Sequence, residues 1–254
     1  MTQIISIRTP DGIVIAGDSL ATSSSPITLE AAIDFRCSCG KESLIKKPIQ
    51  SGVALPRSTF SFAQKIFPFL GSFGLGSAGT GLLCNKTTYF AIRELESRLI
   101  KKKRKWPLKE VANEIKKYFH LLVKKHFSEI KQAKDNWNAI SFQIVGYEET
   151  SPKTIILYIG KKDHVDIHQG MGASFTGEQK ISQAFFKLYE QNNEDKPRID
   201  LFSAQDAADY IEFMICTTAN YQRFSNTMPT VGGLIDIALL TPFEGFKWIK
   251  HKQI

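Results

Sequence analysis

Residues 11–22 read Asp11-Gly12-Ile13-Val14-Ile15-Ala16-Gly17-Asp18-Ser19-Leu20-Ala21-Thr22. Ile13 to Gly17 is an unbroken run of apolar and small residues, the pattern of a short buried strand. Pro10-Asp11-Gly12 precedes it as a turn with a mechanism, since Pro presets φ and Gly accepts a positive one. Further back, Gln3 to Thr9 reads as a second strand. The chain therefore opens with a β-hairpin starting at about residue 2. Few proteins spend their first residues on a core hairpin unless the terminus itself is being positioned.

Working outward, residues 23–62 change character. Ser23-Ser24-Ser25-Pro26, the Cys37-Ser38-Cys39-Gly40 knot and Lys46-Lys47-Pro48 show weak periodicity and several breakers. That fits an irregular insertion or long loop. Residues 69–81 are glycine-rich with β-compatible spacers, as in strands whose backbones approach closely. Between Thr87 and Ile100 the apolar Phe90, Leu95 and Leu99 predict a helix. Pro107 suits a helix start, and Val111, Ile115, Phe119, Val123 and Phe127 then recur every four residues. Ala139–Tyr147, Thr154–Ile159 and His164–Gln169 read as strands. A helix over about Gln179–Gln191 and one from the Ser203/Asp206 cap to about Tyr221 follow. Gly233–Leu240 and Phe246–Ile249 close the chain as strands. Runs of strands alternating with runs of helices imply an α+β layered fold with antiparallel sheets, taken as one domain over residues 1–254.

The 254 residues contain 33 Lys and Arg against 25 Asp and Glu, a net charge of +8, so acidic surfaces and nucleic acid are permitted partners but not implied ones. With 43% hydrophobic and 11% aromatic residues the composition excludes a disordered chain. Four cysteines without a framework of spacings point to a reduced compartment. No basic segment leads into an apolar stretch at the N-terminus, and no window of about 18 apolar residues exists. A cytoplasmic protein without a membrane span is expected.

Thr2 follows Met1 directly, and removal of Met1 before so small a residue is chemically expected. A free α-amine on Thr2 would have a pKa near about 7.7–8.0, suited to act as base for the adjacent hydroxyl. A penultimate threonine alone is a poor signal. The hairpin Asp11 to Thr22, however, resembles the DG-V-hydrophobic-A-x-D-S-x-A-T segment of the proteasome β-subunit branch of N-terminal-nucleophile hydrolases. Asp18 stands sixteen residues after Thr2, that family's offset for its catalytic acid. Lys65 and Gly79 are fourteen residues apart, the family's distance between its active-site lysine and the glycine of its oxyanion hole. Gly232-Gly233-Leu234-Ile235-Asp236-Ile237-Ala238 is similar to the family's G-G-x-I-D-V-A strand, and Thr176-Gly177-Glu178 to its Ser-Gly-Ser-type turn. The acidic residue after Gly177 is closer to the bacterial proteasome-like branch called the ancestral β subunit.

The resemblance implies a four-layer αββα sandwich and a threonine-type peptidase or amidohydrolase. In it Thr2 would be the nucleophile, Lys65 the ammonium that lowers the pKa of Thr2, Asp18 its orienting partner and Gly79 the oxyanion donor. Thr22 would pair with substrate backbone, and Ala21, Ala63, Ser77 and Gly81 would line the pocket for the side chain before the cut. Glu178 stands where the family usually has serine, and the family's Asp and Ser before the double glycine have no clean match among Met228-Pro229-Thr230-Val231; Thr230 and Ser225 are the nearby hydroxyls. Lys46 and Lys47 compete with Lys65 for the ammonium role, and the downstream offset favours Lys65. The family implies peptide or unfolded-protein substrates, homo-oligomeric rings or spirals, and no cofactor. A catalytically inactive proteasome-like scaffold or binding subunit is the alternative.

Two other clusters carry weaker signals. His164, Asp166 and His168 alternate on one strand and could meet a zinc ion, but an outward polar face explains them equally well. The run Lys101-Lys102-Lys103-Arg104-Lys105, followed by Lys116, Lys117, Lys124, Lys125, Lys131 and Lys134, has the charge of a nucleic-acid face. No stacking aromatic is interleaved with it, so a solvated loop between helices is the expectation, without a nucleic-acid partner. Cys37 and Cys39 are too close together for an ordinary zinc knuckle and read as loop cysteines.

Overall fold

The computed structural model describes residues 2–29, 32–36, 42–46, 49–129, 138–191, 197–226 and 228–253. In chain order its first strands are β1 (Gln3–Arg8), β2 (Ile13–Asp18), β3 (Ala21–Leu29), β4 (Ala32–Arg36), β5 (Glu42–Lys46) and β6 (Ile49–Phe60). Next come β7 (Ile66–Phe69), β8 (Phe73–Gly79), β9 (Leu82–Leu83), β10 (Lys86–Thr87), α1 (Thr88–Ile100) and α2 (Leu108–Glu129). Four strands follow: β11 (Asn138–Glu148), β12 (Ser151–Gly160), β13 (His164–Gln169) and β14 (Gly172–Gly177). The chain then runs through α3 (Lys180–Gln191), α4 (Ala204–Arg223), β15 (Ile235–Thr241) and β16 (Gly245–Lys250). It divides into two units, one of residues 1–21 with 61–254 and one of Thr22–Phe60.

The larger unit contains two five-stranded antiparallel sheets, ordered β14-β1-β2-β15-β16 and β13-β12-β11-β8-β7. The opening hairpin is central to the first. Its turn closes through Thr9 N donating to Gly12 O at 2.9 Å. Every residue of β1 and β2 is buried, because both faces of this sheet are covered. One face meets α4: Ile5, Ile7, Val14, Ala16 and Ile237 pack with Ala207, Ala208, Ile211, Met214 and Ile215. The other meets the second sheet: Ile4, Ile13, Ile15, Ala238 and Leu240 pack with Ile66, Ala78 and Val145. Gly76 permits that approach, since a Cβ there would sit 2.5 Å from Ile4 Cγ2. The second sheet buries its far face under α1 and α2, where the Phe119 and Phe142 rings lie 4.4 Å apart. Burial of each such phenylalanine contributes roughly 1.5–3 kcal/mol.

The period of four in α2 is realised as Val111, Ile115, Phe119 and Val123, all buried. In α1 the buried stripe is Thr88, Ala91, Ile92, Leu95 and Leu99. Phe90, expected on it, is 56% exposed. The helix starts at Thr88, capped by the Thr87 hydroxyl accepting from Phe90 N at 3.2 Å, and at about 100° per residue Phe90 falls off the stripe. The Ser203 cap forms a reciprocal box with Asp206 at the start of α4. The strand β14 was absent from the pattern-based expectation. It is short, begins and ends in glycine and is defined by its pairing with β1, from Gln3 opposite Gly177 to Arg8 opposite Gly172.

The smaller unit also departs from the expectation of little regular structure. It holds the β4–β5 hairpin, with Ala32 opposite Lys46 and Arg36 opposite Glu42, and the pair β3 and β6. Its strands lack the alternation of a half-buried surface, and β3 and β6 are far apart in sequence, so periodicity does not report them. Cys37, Cys39 and Lys47, singled out above, lie outside the described residues, as do Lys131 and Lys134.

Candidate active site

The hairpin brings the end of β2 beside the start of β1, and there two of the predicted residues, Asp18 and Lys65, meet. Asp18, the last residue of β2, is fully buried; its Oδ1 accepts from Gln3 N at 3.0 Å and from Lys65 Nζ at 3.0 Å. Its Oδ2 accepts from Lys65 Nζ at 3.1 Å, Leu20 N at 3.1 Å and Gly232 N at 3.0 Å. Lys65, just before β7 and 6% exposed, also donates to Leu20 O at 2.5 Å. All three ammonium contacts are oxygens of residues 18–20, so the lysine is fixed next to the residue that follows Thr2.

Electrostatically the pair is held against the cost of burial. Burial pushes the Asp18 carboxyl up; Lys65 and the amides of Gln3 and Gly232 oppose that push. Burial likewise pulls the Lys65 ammonium down, Asp18 resists, and Lys252 adds to the lowering. Lys252 itself is buried against Asp236 Oδ2.

Thr2 is 6% exposed, and its carbonyl accepts from Glu178 N at 2.8 Å. A Cβ on Gly177 would fall 1.7 Å from Thr2 O and 3.3 Å from Ala78 Cβ, so only glycine at φ +87° lets β14 end here. The same contact places Ala78, and therefore Gly79 next to it, at the Thr2 end of β1. Gly79 has φ +109°, and a Cβ there would lie 2.6 Å from Ala139 O. Ser77 is buried, with its amide donating to Lys65 O at 2.9 Å. Ala63 donates its amide to Ser19 O at 2.9 Å. Ala21 is half-buried and Gly81 exposed, while Thr22 belongs to the smaller unit.

Other expectations resolve differently. The Glu178 carboxylate accepts from Lys180 N at 3.1 Å at the head of α3, so its main chain rather than its side chain faces Thr2. Thr230 and Ser225 both bond to Gln222, not to the Asp18–Lys65 pair. Sequence reasoning missed the amides of Gln3, Leu20 and Gly232, because a backbone donor leaves no mark in residue identity. The double glycine at 232–233 was the one available signal. Trp106, just after the basic run and packed into the core, carries Arg104 over its ring at 3.7 Å from the centroid and Lys102 at 5.1 Å. Arg104 and Lys102 also pair with Glu110 and Glu114 of α2. Among the described residues no three His, Cys, Asp or Glu side chains gather as metal ligands. Nor is any described helix long and apolar enough to cross a membrane.

Two sheets in face contact, helices against each, and a buried Asp–Lys pair bonded to the amide of Gln3 define a layered α+β fold with that pair at the end of the opening hairpin. Among solved structures the chain is similar to one described as Anbu (Gly-1) mutant from Hyphomicrobium sp. strain MC1, with a TM-score of 0.54 and 14% identity over 99% of this chain and 86% of that one. A likeness at that identity is one of fold. No protein-family model and no curated protein matches the sequence.

Proposed function

We propose that this chain is a threonine-type peptidase or amidohydrolase whose nucleophile is Thr2, freed by removal of Met1. The observation that carries the reading is the Asp18 carboxylate, which grips Gln3 N and Lys65 Nζ through the same oxygen. A buried ammonium adjacent to Thr2 lowers the pKa of its amine and hydroxyl, so the neutral amine is available near pH 7 to take the hydroxyl proton. Thr2 Oγ attacks the scissile carbonyl, and the amine returns the proton to the leaving nitrogen, directly or through water. The Gly79 amide is the oxyanion donor; such a donor is typically worth 10²–10³ in kcat. Ala21, Ala63, Ser77 and Gly81 are the substrate-facing set of the larger unit, their small side chains leaving a roomy pocket.

The three cores support stacking of the larger unit as a four-layer αββα sandwich. Like proteasome subunits, the chain assembles with copies of itself into a ring or spiral around peptide or unfolded-protein substrates. Its cysteine usage supports a cytoplasmic setting, and no cofactor enters the mechanism.

Mass spectrometry of the purified chain together with turnover of a fluorogenic peptide tests the reading. A processed N-terminus at Thr2, with turnover that Thr2→Ala abolishes while leaving the particle mass unchanged, is the expected result. An intact Met1, or activity retained in Thr2→Ala, refutes the mechanism and leaves the catalytically silent scaffold.

A further inference from the structure

A cavity of about 360 Å³ opens between the outermost strands of the two sheets, and Tyr158, Asp166, His168, Ser174, Gln179 and Gln183 are among its lining residues. Its Gln179 side adjoins Glu178, whose amide bonds Thr2 O, and its Ser174 side faces Ser6, four residues along β1 from Thr2. Arg8, which adjoins it, pairs with Gly172 at the opposite end of β1, six residues and roughly 20 Å from Thr2.

Behind the cavity wall Arg8 is 3% exposed. Its Nε donates to Gly170 O at 2.6 Å, and its Nη1 donates to Thr154 Oγ1 at 2.9 Å and Ser174 Oγ at 2.7 Å. These partners are neutral oxygens, and among the described residues no carboxylate forms an ion pair with the guanidinium. Burial lowers its pKa to about 10. A buried cation without a counter-charge is costly, and buried charges are ordinarily paired. Ser174 Oγ accepts from Arg8 and lines the cavity, so its own proton is available to an acceptor placed there. His168 lines the same space; burial and Arg8 hold its imidazole below the ordinary range, where the neutral ring offers one N–H donor. Asp166 is bonded to His164 Nε2 at 2.7 Å, and their side chains are 39% and 68% exposed, which places this carboxylate at the mouth and the buried Ser174 at the floor.

We propose that this cavity is a binding site for a small monocarboxylate, its oxygens meeting the Ser174 hydroxyl and the His168 ring and its charge offsetting that of Arg8. The Asp166 carboxylate at the mouth repels a second negative charge and attracts an ammonium. A free amino acid therefore binds at least as well as a simple carboxylate, and a phosphate binds worse. The site does not depend on the peptidase reading.

The test is a titration of the full chain with acetate, free alanine and inorganic phosphate, following the His168 imidazole resonances and the thermal midpoint. Saturable shifts with acetate and alanine are expected in the millimolar range, with phosphate at least about tenfold weaker. Arg8→Met removes the buried charge. Should that variant not fold, His168→Glu at a partly exposed position puts a like charge on the ligand and weakens acetate at least about tenfold. Thr2→Ala leaves binding unchanged. No saturation up to about 0.1 M, an equal response in His168→Glu, or tighter binding of phosphate overturns the proposal.

Discussion

Asp18 and Lys65 form the most consequential side-chain contact in the molecule, and the carboxylate spends its remaining acceptor capacity on three backbone amides. Such a pair adds little net stability, because each ion gives up its hydration, but breaking it leaves an uncompensated charge. Asp18→Asn is expected to cost about 3–5 kcal/mol at neutral pH, measured by urea unfolding. The sign of its pH dependence follows from Lys65. Burial depresses the folded-state pKa of the ammonium below its unfolded value of about 10.4, so the charged form is the penalised one. The deficit of Asp18→Asn should therefore shrink as pH rises from the folded-state value towards the unfolded one; a deficit constant from pH 7 to 10 would contradict this account. Both residues were picked out through the family resemblance, by their offsets from Thr2 and Gly79. Their mutual grip was not, since 47 residues separate them and only folding brings them together.

Among the elements, α2 was the most legible, because a buried stripe recurring every four residues marks the one face that meets a sheet. Phe119 lies at its centre, in contact with Phe142, and both side chains are fully buried. Phe119→Ala should destabilise the chain by about 3–5 kcal/mol in chemical denaturation, whereas Phe90→Ala, on the exposed side of α1, should change stability by less than about 0.5 kcal/mol. The reverse order would mean that the helix faces are misassigned. β14 lies at the other extreme. Gly172-Ala173-Ser174-Phe175-Thr176-Gly177 has too little apolar surface to announce a strand, and it becomes one because β1 offers it a complete edge to pair with.

For the molecule as a whole, each of the three apolar cores gathers residues of the larger unit, and two of them join residues from both sides of the segment Thr22–Phe60 in sequence. The neck at which that segment departs is tied within the larger unit, by Ser19 Oγ donating to Ser61 O at 2.6 Å and Ala63 N donating to Ser19 O at 2.9 Å. Replacing residues 22–60 by a short glycine-rich linker is expected to leave the larger unit folded, with a cooperative thermal transition and a midpoint within a few degrees of the full chain. Loss of cooperative unfolding in that variant would make the segment part of the folding unit.

By itself the sequence determined the layered α+β character, the opening hairpin and the long helices, because periodicity and turn chemistry are local properties of the chain. Tertiary structure alone decided the strands within residues 21–60, the identity of β14, and the amides that close around Asp18. It also set the buried charge of Arg8 against a polar cavity. Each of these depends on which distant backbone arrives alongside, and hydrogen bonding and desolvation act on that arrival rather than on the order of residues.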